Sequence, residues 1–185
     1  MKKKILFVTA TRADFGKMKS LIKIAKSSNR FEVFIVVTGM HMMKTFGETH
    51  TEVTKFFKKN VIKFRNQYFG DNLEGILNKT ISTFSKIVGK IKPDLLIVHG
   101  DRVETLGCSL VGSLNHILTA HIEGGELSGT IDDTIRHAVT KLSHVHFVAN
   151  SKAKRRVISM GEKSGNVYKI GSPDIDALIE KKLPN

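Results

Sequence analysis

Three carboxylates stand where apolar runs of this sequence end or a helical pattern begins. Asp101 follows the run Leu95–Val98 in His99-Gly100-Asp101-Arg102. Glu123 follows Ile117–Ile122 in His121-Ile122-Glu123-Gly124-Gly125, and Asp132 opens the helix-like pattern Ile131, Ile135, Ala138, Val139, Leu142. Acids in unlike environments can divide the roles of proton donor and acceptor, because burial and neighbouring charge move their pKa values apart. Glu123, between a buried run and two glycines, is expected to have its pKa raised into the general-acid or general-base range. Asp101 has two readings, a site acid or the cap of a helix beginning near Val103. Asp132 is either a site acid or, with Asp133, a first-turn acid favoured by the helix dipole and paired with Arg136. His99 and His121 flank the first two acids and are expected to orient them by hydrogen bonds. Arg12, in Thr11-Arg12-Ala13-Asp14, can meet a phosphate at a helix N-terminus or pair with Asp14 at the surface.

Such residues need a frame that brings them together. Short branched runs at Ile5–Thr9, Phe31–Val37, Asn60–Phe64, Leu95–Val98, Ile117–Ile122, Val145–Val148 and Val167–Ile170 predict strands. Between them, apolar residues repeat at three and four and predict helices over about Lys17–Ser27, Asp71–Ile91, Val103–Leu114, Asp132–Leu142 and Lys152–Met160. The stretch Gly39–His50 is expected to be a loop or short helix beside the site. Alternation of this kind implies an α/β, Rossmann-like three-layer sandwich with a mainly parallel sheet. Ligands of such sheets bind at the carboxyl ends of the strands, which is where Asp101 and Glu123 fall. One domain is expected over 1–170, with 171–185 leading away from it.

Composition narrows the function. With 185 residues, 41% apolar and 25% charged, the chain is an ordinary globular protein. Its formal charge of +13 comes from dispersed Lys and Arg with no accompanying nucleic-acid motif, so nucleic acid is not an expected partner, while an anionic small molecule is compatible. The single Cys108 is expected to be a buried free thiol, and the cytoplasm is the expected compartment. The run Ile5–Ala10 is shorter than the roughly 7–15 apolar residues of a secretory core. No run approaches the roughly 18 residues of a membrane span, so no membrane is expected. Neither GxGxxG, a Walker A loop nor GxSxG occurs. His99, His121, His137, His144 and His146 lack metal-site spacing, so neither metal nor cofactor is expected.

At HGDR, HIEGGELSGTIDD and IRHAVTKLSHVHFVAN, and again at TRADF and IGSPDID, the chain closely resembles the hydrolysing UDP-N-acetylglucosamine 2-epimerases. Their non-hydrolysing relatives carry HxEAGLR where this chain has HIEGGEL. The resemblance implies the N-terminal half of a GT-B-like two-domain fold, a UDP-sugar substrate and a homo-oligomer joined by N-terminal domains. It assigns Asp101, Glu123 and Asp132 as catalytic acids. Arg12 and Arg102 are implied near the UDP phosphates, with Ala13, His99 and His121 on the substrate. The implied reaction removes the C2 proton, expels UDP by C–O cleavage to give 2-acetamidoglucal, and adds water to release N-acetylmannosamine. A same-family alternative is an epimerase of another acetamido sugar, such as UDP-diacetylbacillosamine; a non-catalytic domain completed by a partner is a third reading. Chains of that family are about twice as long, and their second half supplies most UDP contacts and a further histidine. The expectation is therefore a chain that lacks one wall of its site, with 171–185 opening the crossing to it.

Overall fold

The computed structural model describes residues 1–173 and residue 175. The branched runs form β1 (Lys3–Thr9), β2 (Phe31–Val37), β3 (Val61–Lys63), β4 (Leu95–His99), β5 (Leu118–Ile122), β6 (Val145–Val148) and β7 (Val167–Lys169). The helices are α1 (Arg12–Ser27), α2 (His50–Phe56), α3 (Leu73–Ile91), α4 (Val103–Leu114), α5 (Ile131–Lys141) and α6 (Ser151–Ser159). All seven strands pair in parallel, in the order β3-β2-β1-β4-β5-β6-β7. The crossing segment expected over 171–185 lies, apart from residues 171–173 and 175, outside the described residues.

Strand order fixes where the helices go. The step from β1 to β2 runs one way along the sheet, and the steps from β3 to β4 through β7 run the other. Right-handed crossovers then place α1 on one face and α3, α4, α5 and α6 on the opposite one. The first face packs Phe15, Met18 and Ile22 of α1, with Val53 of α2, on Phe7, Ile35 and Val37. The second packs Phe84, Val88, Cys108, Val111 and Val139 on Leu6, Val8, Leu96 and Val98, and α6 continues that layer through Ala153 and Val157 on Val148 and Val167. The outer layer of the first face is thus confined to the β1–β3 side. Beyond α1, Leu95, Ile97, Leu118, Ala120, Val145 and Phe147 line an apolar groove on the same face. Among the described residues no helix is long and apolar enough to cross a membrane.

Two departures from the sequence expectation bear on the site. First, α1 starts at Arg12, five residues before the expected Lys17. Thr11 accepts the Asp14 N–H through its hydroxyl at 3.3 Å, and Asp14 Oδ2 accepts the Ala10 and Thr11 N–H groups at 2.9 and 3.1 Å. This reciprocal cap satisfies donors that a helix start leaves open, and it turns Lys17 inward from the second turn. Second, the segment after β2 forms two 3₁₀ turns, Gly39–Met42 and Lys44–Phe46, and then the unexpected α2. His41 anchors it, fully buried, with Nε2 2.9 Å from Thr9 Oγ1 and Nδ1 2.7 Å from Thr49 Oγ1.

The order reversal between β1 and β4 opens a crevice at the strand carboxyl ends. Its floor depends on the Gly124-Gly125 turn leaving β5. Gly125 has φ +79°, and a Cβ there would stand 2.5 Å from the Ala153 carbonyl oxygen and 2.8 Å from Val157 Cγ2. Because the obstacle is backbone, it cannot swing aside. Gly125→Ala is expected to destabilise the fold by about 2–4 kcal/mol, summing left-handed backbone strain and overpacking. Denaturant unfolding checks this; a loss below about 0.5 kcal/mol, the ordinary surface effect, would contradict the packing described.

Candidate functional site

Glu123 is the centre of the cleft. It leaves β5 with φ +64°, a left-handed conformation that costs a non-glycine residue about 1–3 kcal/mol and persists only where the surroundings enforce it. Enforcement comes from two directions. The Glu123 N–H donates to the Phe147 carbonyl of β6 at 2.9 Å. Its carboxylate receives Lys17 Nζ at 3.0 and 2.9 Å, while His99 Nε2, at the end of β4, lies 3.1 Å from Oε2. The His99 approach is within ion-pair distance but is not aligned as a hydrogen bond. The carboxylate therefore joins α1 to the ends of β4 and β5.

The same contacts reverse the expected pKa of Glu123. Burial pushes it up, but His99 and Lys17 outweigh burial and hold the carboxylate at about 2. At neutral pH it is ionised, and while Lys17 holds it the carboxylate is a weaker proton acceptor than a free one. The sequence alone shows the burial and not the cation, since Lys17 lies in another element.

Around it, Thr11, Ala13, Asp14, Lys17, His99, Gly100, Asp101, Arg102 and Arg136 complete the lining. Asp101 is not a helix cap: the N-cap of α4 is Arg102, and Asp101 Oδ2 is ion-paired to Arg136 Nη2. Arg136 also lies 3.4 Å from Asp133 Oδ1, so it faces Asp101 and Asp133 and not the expected Asp132. Asp133 in turn accepts the N–H groups of Ser128 and Gly129 at 2.7 and 2.8 Å, which hold its carboxyl below the usual range and clasp the loop before α5.

The remaining expected site residues divide. Ala13, His99 and Arg102 stand in the cleft with Asp101 and Glu123. His121 stands behind it, fully buried; burial lowers its pKa to about 3, so the ring is neutral and donates from Nε2 to the Gly100 carbonyl at 2.8 Å. It orients the Gly100 turn and touches neither acid. Gly100 N–H donates to the Ile122 carbonyl at 3.0 Å, so both backbone polar groups of Gly100 are tied to β5. Asp132 is exposed at the first turn of α5, accepting the Thr130 hydroxyl at 3.0 Å, and is not among the residues lining the cleft. Arg12 is also outside it, with its side chain 73% exposed and 3.0 Å from Glu52 Oε1; the alternative pairing with Asp14 fails because Asp14 is turned into the cap. Lys17 was missed from sequence, although Thr11-Arg12-Ala13-Asp14 carries the spacing of a capping box that would have moved the helix start.

The cleft thus sets Lys17, Arg102 and Arg136 beside Asp101 and Glu123. Such mixed charge can hold an anionic group by its cations while an ionised acid faces a neighbouring carbon. Among the described residues, no group of three His, Cys, Asp or Glu side chains is arranged to hold a metal ion. The cleft's volume of about 270 Å³ falls just short of the roughly 300–1,000 Å³ typical of small-molecule sites.

Comparison with known proteins places the chain among nucleotide-sugar epimerases. The family model described as UDP-N-acetylglucosamine 2-epimerase matches residues 23–184. A UDP-N-acetylglucosamine 2-epimerase of Neisseria meningitidis serogroup B is 47% identical over 99% of this chain and 48% of its own length. A hydrolysing UDP-N,N'-diacetylbacillosamine 2-epimerase of Legionella pneumophila is 35% identical over 98% of this chain and 49% of its own. The crystal structure of a Neisseria meningitidis UDP-GlcNAc 2-epimerase bound to UDP-GlcNAc superposes with a TM-score of 0.85 at 26% identity, covering 95% of this chain and 48% of that one. The chain therefore spans about half the length of the curated relatives it matches.

The ionisation of Glu123 is directly testable. A folded pKa near 2 against an ordinary 4.5 means that its stabilising contribution is complete above about pH 4.5 and is lost as pH falls toward 2. Lys17→Met is expected to raise the Glu123 pKa by at least about one unit, since burial then acts against a weaker opposing charge. Carboxyl ¹³C NMR across an acid titration reads the change; an unmoved midpoint would show that Lys17 does not set it.

Proposed function

Since the chain belongs to the UDP-N-acetylglucosamine 2-epimerase family, we propose that it forms the sugar-facing wall of a hydrolysing epimerase acting on UDP-N-acetylglucosamine. The observation that carries this reading is the pairing of an ionised, partly buried Glu123 with Lys17 beside Arg102 in one cleft. In the proposed reaction an acid of the cleft takes the C2 proton while the C1–O bond to UDP breaks, with its electron pair leaving on the diphosphate. The product is 2-acetamidoglucal. Water then adds across the double bond, its oxygen to C1 and a proton to the opposite face of C2, releasing N-acetylmannosamine. Cations aimed at the diphosphate stabilise the charge that develops as it leaves. A preformed arrangement can supply about 7–11 kcal/mol of a barrier through orientation.

Glu123 enters this scheme as a proton acceptor, and substrate must loosen its bond to Lys17 before it can serve. Asp101, held by Arg136, is the second acid of the cleft, and exposed Asp132 belongs to the rim that a second wall would meet. The hydrolysing outcome draws support from the Gly124-Gly125 turn and from the relative named for UDP-N,N'-diacetylbacillosamine. That relative also makes a diacetylated sugar the second substrate to try. Self-association and a cytoplasmic setting complete the reading, the latter in keeping with the buried free thiol of Cys108.

Three samples test it: this chain, this chain joined to the second half of the Neisseria meningitidis relative, and that joined enzyme with Glu123→Gln. Coupled detection of UDP released from UDP-N-acetylglucosamine is expected to show no measurable turnover, turnover, and abolished turnover, respectively. The amide matches the acid in shape but cannot accept the proton. Robust turnover by this chain alone would show that no second wall is needed, and full activity of the Gln form would remove Glu123 from the chemistry.

A further inference from the structure

Glu104, in the first turn of α4, is fully buried, and the proposed chemistry makes no use of it. A carboxylate withdrawn from water is strongly unfavourable unless a cation and hydrogen bonds compensate it. Its partner is Arg102, whose Nε lies 3.3 Å from Glu104 Oε2, while Oε1 is buried without a hydrogen bond. The acid sits beneath the junction of three strand ends. A Cβ on Gly39, which follows β2 with φ +61°, would stand 2.7 Å from Oε1 and 2.8 Å from the Ala10 carbonyl that follows β1. The chain therefore keeps a glycine where a larger residue would collide with this carboxylate.

Arg102 is in a different position. Its side chain is 31% exposed and lines the cleft; among the described residues its only hydrogen bond is the one from Nε. A guanidinium tied at Nε keeps its outer edge, with the two Nη groups, in a fixed plane suited to bidentate contact with phosphate oxygens. Lysine offers no such edge.

We propose that Glu104 is a positioning residue that holds Arg102 by Nε and presents its Nη edge to the diphosphate of the nucleotide sugar. The assignment rests on the nucleotide-sugar reading of the cleft. Glu104 touches no substrate and acts only through the arginine. A carboxylate that merely filled the core would leave phosphate binding unchanged when replaced by its amide.

The test is calorimetric titration of the 185-residue chain with UDP, inorganic pyrophosphate and uridine. Glu104→Gln, Arg102→Gln and the double variant are each compared with the native chain. Glu104→Gln is expected to weaken UDP and pyrophosphate about tenfold, the scale of one misplaced charge-assisted contact, and to leave uridine unchanged. In the Arg102→Gln background it should add nothing. An independent readout is the Arg102 Nε–Hε NMR signal, assigned by its absence in Arg102→Lys. It is expected to exchange slowly in the native chain and rapidly in Glu104→Gln. If the Gln form does not fold, Glu104→Asp keeps the charge but shortens its reach, and should weaken pyrophosphate in the same direction. Native UDP and pyrophosphate binding that ignores these changes, or an equal loss without Arg102, overturns the assignment alone. No binding of either anion by the native chain overturns both the assignment and the nucleotide-sugar reading.

Discussion

The site depends on one buried carboxylate that must be paired. Glu123 leaves β5 in a left-handed backbone conformation, partly buried, and is acceptable there only because Lys17 and His99 meet it. That requirement links local choices far apart in the chain. It needs α1 to begin at Arg12, so that Lys17 points inward. It needs β4 to pair with β5 in a register that sets His99 beside Ile122. It also needs the glycine turn after Glu123, because α6 leaves no room for a side chain at Gly125. A charge withdrawn from water is costly when its partner is lost, so displacing any one of these elements would leave the carboxylate uncompensated.

The same principle repeats outward from the centre. Asp101 is matched by Arg136, and Arg136 reaches Asp133, whose backbone hydrogen bonds close the loop before α5. Glu104 is matched by Arg102. Asp101 and Glu123 thus each meet a cation from another element, Glu104 meets one two residues before it, and Asp14 is held by the backbone of its cap. Phosphate oxygens would compete with the carboxylates for Lys17 and Arg136, and each cation drawn away would leave an acid more basic. Under the proposed function, binding and proton acceptance would be coupled in this way.

The sequence was most informative where structure is local. The strand Phe31–Val37 and the helix Val103–Leu114 match residue for residue, because apolar periodicity reports burial along one element. It was least informative where a partner comes from elsewhere. The pKa of Glu123 was expected to rise, since burial is visible in the flanking residues while Lys17 lies 106 positions away. Arg12 had two readings, a phosphate contact or a surface pair with Asp14; its partner in the fold is Glu52 of α2, a helix that was itself not foreseen. That helix buries little beyond Val53, and so leaves only a faint apolar pattern. Asp101 and Glu123 were brought together as strand-end geometry requires, whereas Asp132, on a helix start, was left at the rim.

The proposed function requires that a nucleotide sugar be received at the joined ends of β1, β4 and β5. Mapping ¹H–¹⁵N shifts of the labelled 185-residue chain during titration with UDP-N-acetylglucosamine tests it most directly. The account predicts saturable shifts concentrated at residues 11–17, 99–104, 121–126 and 136, with the opposite strand ends around Lys92 and His116 unmoved. Shifts confined to the lysines of residues 55–59 or to the basic face of α6, with Glu123 and Arg102 unaffected, would contradict it.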